Sequence, residues 1–343
     1  MSKKNSNVIL KNGFIDYKEL FEIYSSFVKK IKSLKKKIYL VAVSGGPDSL
    51  ALTALSKAYS YSNKSKFYYV LVDHNLRKNS SQEAKSVKKL LYKQGISLNI
   101  LKNKKTINSN IQSQARYIRY KLIKDYCKKK KIKIILTAHN LEDQVETFFI
   151  RLSRGSGLYG LSSMKEINNL DNNIRLVRPL LNYKKKELIK ISKIIFGRYF
   201  IDPSNKNIKY LRTRIRNLKK HLEKSGINYD QVFKSIKNLA SSRDTLDKYF
   251  FSIYKKNVSK RKKNIYIKLK NFLNFNDEIK MRILMSSIMD LTDSYYSQRS
   301  KKIFNLIDKI KANKEKKFML GGCLVLKDKN YIILTKEKKI SLF

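Results

Sequence analysis

Six consecutive residues of apolar character, Ile38-Tyr39-Leu40-Val41-Ala42-Val43, run directly into Ser44-Gly45-Gly46-Pro47-Asp48-Ser49 and then into a stretch that reads as a helix. An unbroken apolar run of this length is the pattern of a parallel strand covered on both faces. Parallel strands need crossover connections, so this one junction commits the chain to layered α/β architecture. Its glycines allow a sharp turn that brings backbone N–H groups to an anion. The helix N-terminus that follows adds a positive dipole. Ser44 and Ser49 supply hydroxyl donors, and Asp48 can hold a divalent cation. The loop is a phosphate cradle, yet it has neither the GK[ST] ending of a Walker loop nor the GxGxxG spacing of a dinucleotide fold. A plain strand-to-helix turn with a capping Asp or Ser is the competing reading, and six residues in this order at a strand end weigh against it.

The strand-and-helix alternation continues. Residues 14–36 read as an amphipathic helix. Beyond the loop, a helix is predicted from Ser49 to Tyr59, a strand over Phe67–Val72 and a helix over Ser80–Gln94 stopped by Gly95. A weak strand over Leu98–Leu101, a long helix over Ile111–Lys130, a strand over Ile132–Thr137 and a helix over Leu141–Arg154 follow. This is a doubly wound parallel sheet, in which ligands sit beyond the carboxyl ends of the strands. Ser44–Ser49, Asp73–Arg77 and His139 all fall there. Near Gly226 the pattern becomes helical, with further helices over Asp277–Leu291 and Ser300–Lys311. Two short apolar segments, Cys323–Leu326 and Tyr331–Leu334, read as a terminal hairpin. The expected organisation is an N-terminal helical extension (1–35), a catalytic α/β domain (36–225) and a smaller, mostly helical, basic C-terminal domain (226–343).

Charge is the most lopsided property of the chain. The net charge is +51 over 343 residues, from 77 Lys and Arg against 26 Asp and Glu. Lysine dominates and is spread through both halves, as on a solvated surface. It still favours a polyanionic partner, because each neutralised phosphate releases counterions. Arginine is scarcer, and 11 of the 15 arginines fall between Arg77 and Arg216, which points to positions that need a planar, forked donor. Residues 226–343 carry 27 basic and 11 acidic side chains, a net of +16. The two cysteines, Cys127 and Cys323, form no CxxC pair, which argues against a metal cluster or redox dithiol and suits a reducing cytoplasm. The N-terminal residues show no secretory signal, and the apolar run before the loop is far short of the ~20 residues that cross a bilayer.

A second constellation opens the helix after the fourth strand: His139-Asn140-Leu141-Glu142-Asp143-Gln144-Val145-Glu146. If the helical turn includes His139, then His139, Asp143 and Glu146 share one face. Asp143 and Glu146, set beside Asp48, can bind Mg²⁺ on a triphosphate. The competing reading is a first helical turn enriched in acids because of the dipole, and it suits Glu142 best. Further segments follow in order: Ala115-Arg116-Tyr117-Ile118-Arg119-Tyr120, Arg151-Leu152-Ser153-Arg154-Gly155-Ser156-Gly157, Arg178-Pro179-Leu180-Leu181, Asp202-Pro203-Ser204-Asn205, and Arg212, Arg214, Arg216 and Asn217.

Ser44–Ser49 after a first strand resembles the pyrophosphatase loop of the N-type ATP pyrophosphatases. The full set, in order and spacing over residues 36–220, resembles the tRNA(Ile)-lysidine synthase family. Leu320-Gly321-Gly322-Cys323 is similar to that family's terminal region. The chain departs from the family pattern at Glu142, where a second Asp is usual, at Ile201 before Asp202, where Trp is common, and in its compact C-terminal domain.

The resemblance implies ATP as co-substrate, Mg²⁺, an isoleucine tRNA and free L-lysine, with no membrane and no obligatory protein partner. It implies adenylation of the C2 oxygen of the wobble cytidine and then attack by the lysine ε-amine to give lysidine. Asp48, Asp143 and Glu146 are the implied catalytic residues, and which of Asp143 and Glu146 is the general base stays open. Ser44, Gly45, Gly46, Pro47, Asp48, Ser49 and His139 are implied at ATP, and Asp48 with Asp143 at the metal. Arg116, Arg119, Arg151, Arg154, Arg212, Arg214 and Arg216 are implied at tRNA. Two other readings compete: a tRNA thiolase on the same loop, which needs cysteine chemistry, and a non-catalytic RNA-binding protein, against which the intact loop and acids stand.

Overall fold

The computed structural model describes residues 3–76, 79–103, 111–171, 173–203, 207–292, 298, 300–312 and 317–337. Arg77, Ser204 and Asn205, singled out in the sequence, lie outside the described residues. The chain divides into two compact units, Met1–Ala240 and Ser241–Phe343.

The first unit opens with α1 (Lys3–Lys11) and α2 (Lys18–Ser33). Leu10, Phe14, Leu20, Phe27 and Ile31 are buried in the same apolar cluster as Tyr39 and Leu50. The expected N-terminal extension is therefore part of the α/β core. Next come β1 (Ile38–Val43), α3 (Pro47–Ser62), β2 (Lys66–Asp73), α4 (Ser80–Tyr92), β3 (Leu98–Lys102), α5 (Ile111–Lys129), β4 (Ile134–Leu136) and α6 (Leu141–Leu152). Each agrees with its predicted counterpart to within a few residues at each end. The short elements α7 (Leu158–Leu161), β5 (Ile167–Asn169) and β6 (Arg175–Val177) follow, then α8 (Lys185–Phe196), α9 (Leu211–Asn217) and α10 (Lys219–Lys224).

The six strands lie in the order β3-β2-β1-β4-β6-β5, all parallel except the edge strand β5. After β1 the chain winds outward through β2 and β3, then returns to place β4 on the other side of β1. The crevice between the ends of β1 and β4 is thus the switch point at which ligands settle in such sheets. Leu50, Leu52 and Leu55 on α3 are fully buried, each contributing about 1.5–3 kcal/mol. They hold the helix that carries the loop.

The helix α11 (Tyr229–Asn257) runs past the expected boundary at 225/226, and the division between the units falls within it. The second unit also holds β7 (Val258–Arg261), β8 (Asn264–Lys268), α12 (Leu269–Asn274), α13 (Asp277–Thr292), α14 (Ser300–Ala312), β9 (Lys317–Leu320), β10 (Cys323–Lys327) and β11 (Tyr331–Lys336). The predicted terminal hairpin is β10–β11. It lies within a five-stranded antiparallel sheet of order β7-β8-β11-β10-β9. Ile265, Ile267, Val325, Ile332 and Leu334 alternate onto one face and pack with Ile283, Leu284 and Ile307 of the helices. No helix among the described residues is long and apolar enough to cross a membrane.

Candidate active site

The loop leaves β1 at Ser44 and enters α3 with Gly46 as N-cap and Pro47 as first helical residue. Proline suits that place, since its missing N–H has no helical partner to lose and its φ is already helical. Gly45 has φ +84°, and a Cβ there would stand 2.6 Å from Val87 Cγ2. Both backbone conformation and space therefore require glycine. Ser44 donates its backbone N–H to Ser49 Oγ at 3.1 Å, and Ser49 Oγ donates to the Gly46 carbonyl at 3.0 Å. Ser49 thus ties the two ends of the cradle together. Phe200 N donates to the Gly45 carbonyl at 3.0 Å, anchoring the loop from a distant segment.

Asp48, at the second helical position, is the most perturbed carboxyl of the cradle. Burial pushes it up to about 7, and Asp143 and Glu142 push the same way, while Lys185 and the Asn140 side chain oppose them. Its Oδ1 is buried without a hydrogen-bond partner. A buried carboxylate oxygen with no donor, next to a second carboxylate, suits a hard cation. The described residues contain no group of three or more His, Cys, Asp or Glu able to enclose a metal. A cation here would draw on one or two carboxylates and on substrate phosphate, which is the habit of Mg²⁺.

Across the crevice, α6 begins one residue later than the His139-inclusive turn requires. Asn140 is the N-cap: Asp143 N donates to Asn140 Oδ1 at 2.9 Å, and Asn140 N donates to Asp143 Oδ2 at 3.2 Å. This capping box fixes Asp143 at the crevice. His139 therefore precedes the helix, and the shared face is that of Asp143 and Glu146 alone. His139 Nδ1 lies 3.1 Å from Thr137 Oγ1, and burial holds its imidazole down to about 4 despite Asp143, so it is neutral at pH 7. Glu142 points elsewhere. It accepts the backbone N–H of Lys185 at 2.8 Å and so caps the start of α8.

Glu146 is almost wholly buried and carries two arginines. Arg216 Nε donates to Oε1 at 2.7 Å and Nη2 donates to Oε2 at 3.0 Å. Arg212 Nε lies 3.2 Å from Oε2, an ion pair, but is buried without a hydrogen bond. Its Nη2 donates to Thr147 Oγ1 at 3.0 Å. The predicted basic run thus divides by helical geometry: Arg212 and Arg216 face α6, while Arg214 is exposed on the other side of α9. Arg151 donates to the Gly160 and Ser163 carbonyls at 2.8 and 3.0 Å and braces the turn after α6. Arg154 is exposed. Arg116 is exposed and lies over the Tyr120 ring at 5.1 Å. Arg119 Nε donates to His74 Nε2 at 3.3 Å. Sequence reasoning did not find the contributions of Lys185, Asn140 and Thr147 to this site. Asn140 was findable, since Asn three residues before Asp is a capping signature.

A PP-loop domain model, that of an ATP-binding family, matches residues 20–222. The tRNA(Ile)-lysidine synthase of Wolbachia pipientis wMel is 34% identical over 302 residues, 87% of this chain and 70% of that protein. The tRNA(Ile)-lysidine synthase of Rickettsia typhi is 31% identical over 329 residues, 92% of this chain and 74% of that protein. Among solved structures, the U34-tRNA thiolase NcsA of Methanococcus maripaludis superposes with a TM-score of 0.54 at 18% identity, covering 64% of this chain and 77% of that one; this likeness is one of fold. With the PP-loop match covering most of the first unit and the curated relatives extending over most of both chains, the chain belongs to the tRNA(Ile)-lysidine synthase family.

Proposed function

We propose that the protein is an ATP-consuming enzyme that modifies the wobble position of an isoleucine tRNA, joining free lysine to C2 of the wobble cytidine. The observation that carries this reading is the nearness of the Asp48 and Asp143 carboxyls, which raise one another's cost of ionisation, beside a strand-to-helix loop whose Gly45 admits no side chain. Ser44–Ser49 would hold the triphosphate, with backbone N–H groups and the α3 dipole turned to its phosphates. Asp48 and Asp143 would hold Mg²⁺, which when bound would supply positive charge to the leaving pyrophosphate.

In the first step the cytidine O2 attacks the α-phosphorus and pyrophosphate leaves, giving the adenylated base. In the second the neutral ε-amine of lysine attacks C2, AMP leaves with the oxygen, and the amine proton passes to a carboxylate. Asp143 and Glu146 are the candidates for that proton. His139, neutral, is placed to hydrogen-bond the nucleotide without adding charge. Exposed Arg116, Arg154 and Arg214 are suited to tRNA phosphates, and the excess of basic over acidic residues in 226–343 suits the tRNA body. A reaction on tRNA with ATP and free lysine suits the cytoplasm.

A thiolase reading is weakened by the cysteines. Cys127 and Cys323 are buried, lie in different units, and burial pushes the Cys127 thiol up to about 12. A thiol so protonated is a poor nucleophile and a poor cluster ligand. The test is stoichiometry: with tRNA, ATP and lysine, one AMP and one pyrophosphate should form per lysine joined. Pyrophosphate release with no lysine joined to the tRNA rules the reading out.

A further inference from the structure

Two guanidinium groups already sit on the Glu146 carboxylate. The carboxylate is buried to 3% exposure. Arg216 occupies both its oxygens in a forked pair at 2.7 and 3.0 Å, and this pairing raises the Arg216 guanidinium above its ordinary value. Arg212 then adds a second positive charge beside Oε2 at 3.2 Å, in poor alignment. Asp143 and Asp48 also act on Arg216, but on Glu146 itself one carboxylate already serves two guanidinium groups, so a substrate ammonium approaching it meets a filled seat.

The two arginines are not equivalent. Arg216 is fixed by two aligned, charge-assisted bonds. Arg212 makes no aligned bond to Glu146; its aligned bond runs to the neutral hydroxyl of Thr147 at 3.0 Å. Its side chain is 42% exposed although Nε itself is buried, so part of the side chain already reaches solvent and gives it a way out. Arg212 is the displaceable member of the pair.

We propose that Arg212 occupies the seat of the substrate ammonium on Glu146, and that lysine binds there only as the Arg212 guanidinium swings out. Arg216 stays and keeps the carboxylate oriented. Once out, Arg212 offers a free forked donor beside the crevice, the group a tRNA phosphate would hold. A phosphate that holds Arg212 out therefore empties the lysine seat, and linkage requires lysine to strengthen that phosphate contact in turn. Arg212 is thus a specificity and ordering residue: it keeps free lysine off the site until tRNA is present. The inference rests on lysine as the substrate.

The experiment measures binding of labelled lysine to the full-length protein, with and without tRNA, for wild type, Arg212→Gln and Thr147→Val. For wild type, tRNA should tighten lysine binding. Arg212→Gln should bind lysine about 3–10-fold more tightly than wild type without tRNA, since no competing state remains to be displaced, and added tRNA should no longer change that affinity. Thr147→Val, which removes the aligned bond of Arg212, should shift lysine affinity the same way to a smaller extent and serves if the arginine variant does not fold. Equal or weaker lysine binding by the folded variants overturns the proposal. Failure of wild type to incorporate lysine into tRNA defeats the functional reading instead, so the two failures are distinguishable.

Discussion

The backbone N–H of Lys185 is held by Glu142 Oε2 at 2.8 Å, so the second residue of α6 caps the first residue of α8. Asp143, the next residue in the chain, faces the crevice. Adjacent acids thereby divide between holding the scaffold and serving the site. Glu142→Ala should cost about 0.5–2 kcal/mol of stability, the usual range for losing a helix cap, with the Michaelis constant for ATP changed little. Urea unfolding and steady-state kinetics check both halves, and a stable but inactive variant would move Glu142 into the site.

Asp48 carries a signed pH dependence. In the metal-free protein its carboxyl is pushed up to about 7 by burial, from an ordinary value of 3.8. A carboxyl raised on folding contributes stability that is fully present below the unfolded value and is lost as pH rises through the folded one. Between about pH 4 and 7 the wild type should therefore lose stability relative to Asp48→Asn. Mg²⁺ with ATP should reverse the trend above pH 7, because the ionised form is then the bound form. Thermal unfolding of both proteins across that range reads the difference; parallel curves contradict the assignment. The same variant should release no pyrophosphate.

Arg116, Arg154 and Arg214 are exposed. Replacing all three with Gln should weaken tRNA binding and make its salt dependence shallower by about 0.7–0.9 per lost phosphate contact. Affinity measured across a salt series checks this, and an unchanged slope removes these arginines from the interface.

The cysteines should prove dispensable. Cys127 and Cys323 are fully buried, and burial raises both thiols. The Cys127→Ala, Cys323→Ala double variant should keep tRNA modification while losing about 2–4 kcal/mol of packing stability. Loss of activity in a folded double variant would favour sulfur chemistry.

Much of this arrangement is legible in the sequence because single short segments encode it. The apolar run before Ser44 dictates a buried strand, the glycine pair dictates the turn, and the two together place the cradle at a strand end. The three-residue strands β5 and β6 escape such reading, since so short a segment carries no period. So do β7, β8 and β9, which lie among lysines and gain their pattern only by pairing. The Glu146 site is illegible for a different reason. Arg212 and Arg216 reach it from seventy residues away, and nothing local distinguishes them from the exposed Arg214 between them. Only the docking of α9 onto α6 separates a half-buried counter-ion of Glu146 from a surface charge. The reading that His139 joins the helix fails on one residue, because Asn140 is the better cap.

The most direct test of the central claim is mass analysis of the nucleosides of isoleucine tRNA after incubation with the protein, ATP, Mg²⁺ and isotopically labelled lysine. The account predicts a cytidine that has lost its C2 oxygen and gained the labelled lysine, located at the wobble position and absent with Asp48→Asn. An unmodified cytidine, or a sulfur in place of that oxygen, would contradict it.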